Sequence, residues 1–253
     1  MNYKFSMPST ATLRGTLAAV TFAAASAASW ALPSFTIDPS AAGLVGSPVS
    51  GDNFIVSDFS TTLFTSATTF SEQGYLAVRS IEFEDDVAEA FGPASTYGLY
   101  IGFNATGTFT TGGSGVFDTL TYTLYGYNGA QARFAFSGTT TTVSKPGVVL
   151  ATGTLTSGSV STSNGAPSAN ALVTFTPTLL GNSFFASPAP FSMSAETSFT
   201  NTVSQVLDIP GGFRIRQGGG SFNFVLPVPE PETYAMLLAG LAAIGFVAKR
   251  RKR

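Results

Sequence analysis

The sequence predicts an all-β domain, an antiparallel β-sandwich or a jelly-roll-like fold, between residues 32 and 226. Short segments in this region alternate apolar and polar side chains with a period of two, which is typical of half-buried strands. Gly, Pro, Asn and Ser interrupt these segments at short intervals, and no long helical periodicity occurs between them. Hydrophobic residues make up 44% of the chain and charged residues 10%, so a core can be buried.

The clearest strand pair is predicted at residues 119–127 and 131–137. Leu120, Tyr122 and Leu124 share one face of the first segment, and threonines occupy the other. Asn128 and Gly129 follow, between two alternating segments, which is the strongest short-range pattern for a type I′ hairpin. We therefore expect a hairpin that turns at these two residues.

Further strands are predicted in short segments along the domain, with at most one helical turn at residues 86–91 and glycine turns at 210–212 and 218–220. Helices are expected only at the two ends of the chain. The predicted strands are residues 53–59, 74–83, 97–110, 148–156, 171–178, 221–226 and pieces of 184–199.

Charge and composition exclude several function classes. Between Asp38 and Arg216 lie five basic and twelve acidic residues, a net charge of −7, which gives no electrostatic footprint for nucleic acid. The chain has no Cys and no His, so disulfides, thiol nucleophiles, Cys/His zinc sites and Ser-His-Asp triads are absent. We expect a protein that is not an enzyme, with no catalytic residue, no metal and no cofactor.

The N-terminal segment, residues 1–31, has the pattern of a secretory signal peptide. Lys4 and Arg14 supply positive charge, and residues 17–28 form a short, Ala-rich apolar stretch. Small side chains at Ser29 and Ala31 predict cleavage after Ala31, with a second possible site after Ala27. A short N-terminal helix of the folded domain is the alternative interpretation.

The C-terminal segment, residues 227–253, has the pattern of a membrane anchor. Residues 234–248 are fifteen apolar residues, about 22 Å of helix, with Tyr234 suited to the interface. The last five residues are basic and predict a cytoplasmic membrane stop, with the domain on the other side. These stop residues are Lys249, Arg250, Arg251, Lys252 and Arg253. A buried core helix is the alternative interpretation.

Within residues 228–241, Pro229, Glu230 and Pro231 stand shortly before the apolar residues 234–248. The Pro-Glu-Pro motif, the short Gly-containing helix and the Arg-rich tail resemble the PEP-CTERM sorting signal of Gram-negative bacteria. The resemblance covers about the last 26 residues of the chain. It implies that an exosortase, an integral-membrane cysteine protease, recognises the three residues, cleaves nearby, and releases or transfers the domain. Both prolines favour an extended backbone, which a protease cleft accepts.

A second resemblance concerns residues 34–39, residues 97–100 and the segment 102–110 that follows them. These segments resemble the flocculation-associated subgroup of PEP-CTERM proteins. The resemblance implies a secreted protein that cells need to aggregate within their exopolysaccharide. From the sorting signal we expect transient anchoring in the inner membrane, and then a place at the cell surface or in the extracellular matrix. It supplies no catalytic residues.

The densest group of acidic residues contains Glu82, Glu84 and Asp86, which strand alternation would place on one face. Three carboxylates on one face suit Ca²⁺, whereas a solvated strand end is the simpler interpretation and the one we favour. A pair of glycosidase carboxylates needs no His, but the sequence singles out no such pair. Two function classes therefore remain: a structural or adhesive matrix protein and a carbohydrate-binding module for the exopolysaccharide.

Overall fold

A computed structural model describes residues 32–110, 113–162, 166–189 and 191–226 of the chain. The predicted signal peptide and sorting segment lie outside these residues. Within the described ranges, no helix has both the length and the apolar character that a membrane crossing requires.

The described residues form strands, one short helix and two short 3₁₀ turns, and every predicted strand segment overlaps an observed strand. The strands are β1 (Phe35–Ile37), β2 (Val49–Gly51), β3 (Asn53–Phe64), β4 (Thr69–Phe83), β5 (Asp86–Ala90), β6 (Tyr97–Phe109), β7 (Ser114–Asn128), β8 (Phe134–Ser137), β9 (Thr140–Val143), β10 (Val148–Ser161), β11 (Ser168–Thr174), β12 (Thr176–Pro177), β13 (Phe185–Ser187), β14 (Ser194–Thr200), β15 (Val206–Ile209) and β16 (Gly212–Val225). The helix is α1 (Leu179–Phe184), and the 3₁₀ turns are Ser40–Ala42 and Val203–Gln205. The prediction that helices occur only at the two ends is therefore wrong, because the Thr178 hydroxyl caps a short helix inside the domain.

Eight long strands form a closed antiparallel barrel. The barrel strands are, in order, β3, β4, β6, β7, β10, β11, β14 and β16. Each pairs with the next strand of this series, and β16 pairs back onto β3. The prediction of an all-β domain is confirmed, but the predicted sandwich or jelly roll is wrong. Alternation shows which side chains are buried, and it is the same in a sandwich and a barrel. Only the pairing of β10 with β11 and of β16 with β3 closes the sheet.

Irregularities in strand register accompany this closure. The pairing of β3 with β4 shifts between Ile55 and Val56, and the pairing of β16 with β3 shifts between Arg216 and Gly218. Such β-bulges bend and twist a strand locally, which a closed barrel requires. The predicted turn at residues 218–220 is therefore wrong, because these glycines lie within β16 beside one of the bulges.

One end of the barrel is filled by aromatic rings. Strands β1, β2 and β13 form a small separate sheet, and Phe35 of β1 is 1% exposed. Its ring packs at 4.8 Å from Phe224 and 5.3 Å from Phe54, measured between ring centroids, in edge-to-face geometry. Such pairs stabilise beyond the area that they bury. Segments that precede β3 and that connect β11 to β14 thus close this end.

The predicted hairpin at Asn128 and Gly129 is wrong. Strand β7 pairs with β6 on one side and β10 on the other, so neither edge is free for the following segment. The Asn128 side chain accepts a hydrogen bond from Val45 N and donates one to Gly43 O instead. Strand β8 pairs with β9, and Phe134 of this hairpin stacks on Phe59 of the outer barrel face at 5.0 Å.

The predicted helical turn at residues 86–91 is also wrong. Strand β5 pairs antiparallel with the end of β4. Glu84 and Asp85 form the connection, with φ angles of 52° and 68°. Both angles lie in the left-handed region, as a type I′ turn requires, although neither residue is Gly or Asn. The sequence lacked the usual residues of this turn, so pattern alone missed it.

Candidate functional site

The predicted processing residues are outside the described part of the chain. They are Ala31 of the signal peptide, Pro229, Glu230 and Pro231 of the sorting motif, and Lys249, Arg250, Arg251, Lys252 and Arg253 of the membrane stop. Their roles stay predictions. In the described domain, three places bring functional side chains together: the acidic turn, a groove on the outer face, and a cavity inside the barrel.

The acidic turn separates the three candidate calcium ligands. Glu82 lies in β4, Glu84 lies in the turn with positive φ, and Asp86 begins β5. Alternation therefore does not place them on one strand face. Among the described residues, no group of three or more His, Cys, Asp or Glu side chains is arranged to hold a metal ion.

The groove crosses the outer face of β4, β6 and β7. Tyr75 and Tyr125 flank Gly102, where an added Cβ would come within 3.2 Å of Tyr75 Cε1 and 3.6 Å of Tyr125 Cε2. Asn104 and Thr121 contribute exposed polar groups to the same groove. Its volume is about 420 Å³, including space open to solvent. Half-buried aromatic rings beside amide and hydroxyl groups can contact a sugar through both its apolar and its polar faces.

The tyrosines beside this groove form a packed cluster. Tyr100 stacks on Tyr125 at 4.9 Å and lies 5.8 Å from Tyr127, and the Tyr127 hydroxyl accepts a hydrogen bond from Ala132 N. Burial, with the neighbouring tyrosines, raises the pKa of Tyr100 to about 12. Burial and then Tyr125 raise the pKa of Tyr75. These phenols stay neutral at physiological pH, so the groove offers hydrogen bonds without charge.

The interior cavity lies inside the barrel, on the side away from the aromatic end. It occupies about 800 Å³, part of it open to solvent, and its lining is mainly apolar. The aromatic lining includes Phe70, Phe103, Phe109, Phe117, Phe199 and Phe213. At the rim, Phe64 is 48% exposed and packs at about 6 Å from both Phe109 and Phe213. A mainly apolar lining with a few polar groups is typical of sites for small molecules.

Two carboxyl groups face this cavity from neighbouring strands. Asp58 of β3 is 4% exposed, and Glu72 of β4 lies opposite Thr62 in the sheet. The Ser60 hydroxyl donates to Asp58 Oδ2 at 3.2 Å, and the hydroxyls of Ser60 and Thr62 lower the pKa of Glu72. Because Ser60 has a single hydroxyl proton, it serves only one of the two carboxylates at a time. A glycine lies opposite Ser60, at position 74, where a Cβ would overlap the serine.

Burial raises the pKa of both carboxyls. For Asp58, loss of water contact is the main cause and the charge of Glu72 adds to it, so its pKa lies well above the usual range. For Glu72, burial raises the pKa while hydrogen bonds from Ser60 and Thr62 oppose the shift. Along the described lining, no Lys or Arg side chain balances the pair.

Sequence reasoning missed this pair. Asp58 falls at an inward position of a predicted strand, in step with Phe54, Val56 and Ser60. A carboxyl at an inward position was the available sign, since buried acids are rare without a partner. Glu72, in contrast, lay outside the predicted strand 74–83, so its orientation could not be deduced from alternation.

Comparison with known families concerns the C-terminal segment alone. Residues 227–252 match the PEP-CTERM protein-sorting motif. The predicted resemblance at this end of the chain is thereby confirmed. The PEP-CTERM motif supports an exported surface protein that an exosortase processes. No curated protein and no solved structure matches the chain.

Proposed function

We propose that this chain is a non-enzymatic matrix protein of a Gram-negative bacterium, exported and held briefly in the inner membrane before exosortase processing. Its role is structural or adhesive, in biofilm or floc formation that depends on exopolysaccharide. The observation that carries the proposal is the PEP-CTERM motif at residues 227–252, which follows directly after the last barrel strand.

The surface of the domain supports an extracellular role. Outward threonines pair across strands through their hydroxyls, as in Thr106 with Thr119 at 2.7 Å and Thr154 with Thr174 at 3.3 Å. Threonine favours strands, and its hydroxyl can hydrogen-bond to water or to a hydrated polymer. A closed barrel also leaves no long strand edge to pair with another chain.

Replacement of Pro229, Glu230 and Pro231 by alanine tests the proposal. The variant should fold normally, because the motif follows the last described strand, and should remain in the inner membrane at uncleaved size. Fractionation with an antibody to the domain measures both properties. A matched control replaces Pro210, which lies in the turn before β16, by alanine and should be processed normally. Normal surface delivery of the triple variant would contradict the proposal.

A second candidate is direct recognition of the exopolysaccharide, and the outer groove favours it. Tyr125→Ala should weaken binding to the purified polysaccharide about two- to tenfold, if contact of the ring with a sugar contributes as much as contact with another ring, about 0.5–1.5 kcal/mol. Thr119→Val, on the same outer face but away from the groove, is the control. Affinity electrophoresis in polysaccharide gels measures the effect. Equal mobility of wild type and Tyr125→Ala would contradict polysaccharide recognition at the groove, and the structural or adhesive role would be the remaining candidate.

A further inference from the structure

The interior cavity holds acceptor atoms to which no described residue donates a hydrogen bond. Asp58 Oδ1 is buried and has no hydrogen-bond partner among the described residues. Asn201 is 5% exposed, and its Nδ2 donates to Pro167 O at 2.9 Å while its Oδ1 is likewise unpartnered. A buried acceptor without a donor costs about 1–3 kcal/mol. Two such atoms on the wall of one cavity indicate that a donor from outside the chain completes the site.

The two unpartnered atoms lie in the same part of the cavity. Gly218 of β16 is the register partner of Asp58, and the Asn201 amide occupies the space that a side chain at Gly218 would fill. On the other side of Asp58 stands β4, which carries Glu72. Asp58, Glu72 and Asn201 therefore present acceptors, while the remaining wall is mostly aromatic and aliphatic.

We propose that the barrel binds a small hydrophobic primary amine, with its ammonium group at Asp58, Glu72 and Asn201 and its apolar body against the phenylalanines. An ammonium has three donors and one positive charge, which match the unpartnered oxygens and the carboxyl pair. A divalent metal favours a larger set of carboxylates, and Asp58 and Glu72 are the two acidic side chains of the described lining. The role is distinct from sorting and from polysaccharide contact, because it uses the inside of the barrel.

Among the described residues that line the cavity, no Lys or Arg competes with the ligand. On the strands packed against the carboxyls, Arg79 and Arg214 point to the outer face, where they lie over Phe59 and Phe136. Arg216 also lies over Phe136. Tyr122 is the one other titratable side chain of the described lining, and burial raises its pKa, so it stays neutral. The charge of the bound amine is therefore balanced by Asp58 and Glu72 alone.

This arrangement makes a specific prediction for pH. Because burial raises the pKa of both carboxyls, an ammonium must displace protons from them at low pH. The affinity for the amine should rise with pH, by up to about tenfold per unit for each proton displaced, until the carboxyls are ionised. A neutral alcohol of the same shape displaces no proton, so its affinity should not follow this trend.

The experiment uses the full chain in a non-ionic detergent, with 2-phenylethylamine, 2-phenylethanol and 3-phenylpropanoate as probes. Isothermal titration calorimetry at about pH 8, where the amine keeps its charge, gives the three affinities. The amine should bind at least about tenfold more tightly than the alcohol, as expected for charge-assisted hydrogen bonds, and the carboxylate should not bind. Equal affinity for amine and alcohol, or no binding of the amine, would overturn the proposal.

Variants locate the site. Asp58→Asn and Glu72→Gln should each reduce the preference for amine over alcohol, and the double variant should abolish it. Glu196→Gln, which removes an exposed charge from β14, is the matched control and should bind as wild type does. If Asp58→Asn fails to fold, the preference for amine over alcohol in Glu72→Gln still tests the proposal. Full amine preference in a folded double variant would place the amine elsewhere and refute the assignment.

Discussion

Gln73 and Thr141 are joined by two hydrogen bonds across 68 positions of sequence. The Gln73 Nε2 donates to Thr141 O at 3.1 Å, and Thr141 N donates to Gln73 Oε1 at 2.8 Å. The side-chain amide thus takes the place of a neighbouring strand for the β8–β9 hairpin. This contact fixes the hairpin on the outer face of the barrel, beside the groove that Tyr75 and Tyr125 flank.

Gln73→Ala should loosen the hairpin and lower the free energy of unfolding by about 1–2 kcal/mol, since two backbone groups of Thr141 lose their partners. Chemical denaturation measures the loss, and hydrogen exchange at Thr141 should accelerate. Gln131→Ala is the control, because Gln131 lies in the same connection and makes no comparable contact. An unchanged exchange rate at Thr141 would show that the hairpin is held by its aromatic contacts alone.

The buried carboxyls predict how stability depends on pH. In the folded protein the pKa of Asp58 and of Glu72 is raised, so the folded state binds more protons than the unfolded state above about pH 4. Their contribution to the free energy of unfolding is therefore fully present below the pKa of the unfolded state and is lost as the pH rises through the pKa of the folded state.

The double variant Asp58→Asn, Glu72→Gln should flatten this dependence. Relative to wild type it should be similar in stability near pH 4 and more stable by about 1 kcal/mol or more near pH 9, because a buried, unbalanced charge is removed. Denaturation across this pH range measures the difference. A gap between variant and wild type that stays constant with pH would show that these carboxyls do not titrate on unfolding.

Phe35 should be essential for the closed end of the barrel. Phe35→Ala should cost about 3–5 kcal/mol, since the ring is buried among other rings and the surroundings cannot collapse fully. Phe64→Ala is the matched control and should cost less than half as much, because Phe64 is 48% exposed at the rim. Thermal or chemical denaturation compares them. Similar losses for the two variants would contradict a packed end opposite an open one.

The turn between β4 and β5 can be improved. Replacing Glu84 by Asn and Asp85 by Gly should stabilise the domain by roughly 0.5–1 kcal/mol, because these residues adopt positive φ more readily. Gly211→Ala, at a φ of 78°, should destabilise by a comparable amount. The midpoint of denaturation reports both changes. Destabilisation by the Asn-Gly pair would mean that the side chains of Glu84 and Asp85 make contacts that stabilise the domain by more than their positive φ angles destabilise it.

Local patterns predicted the strands well and their partners poorly. Leu120, Tyr122 and Leu124 point inward as alternation required, because side-chain direction in a strand depends on neighbouring residues alone. The Asn128–Gly129 hairpin failed for the opposite reason. The two edges of β7 pair with β6, which precedes it, and with β10, which follows much later in the chain. A local sequence pattern does not show that these strands compete with the following segment for the edges of β7.

The sequence by itself determined an all-β domain and the sorting motif at its end, because strand periodicity and a linear recognition motif are both written in consecutive residues. Tertiary structure alone decided that the sheet closes, and closure brings Asp58, Glu72 and Asn201 to one cavity. Those residues come from separate strands and a loop, 14 to 143 positions apart in the chain. Their proximity arises from the register of β3 with β4 and β16, which depends on packing of the whole barrel.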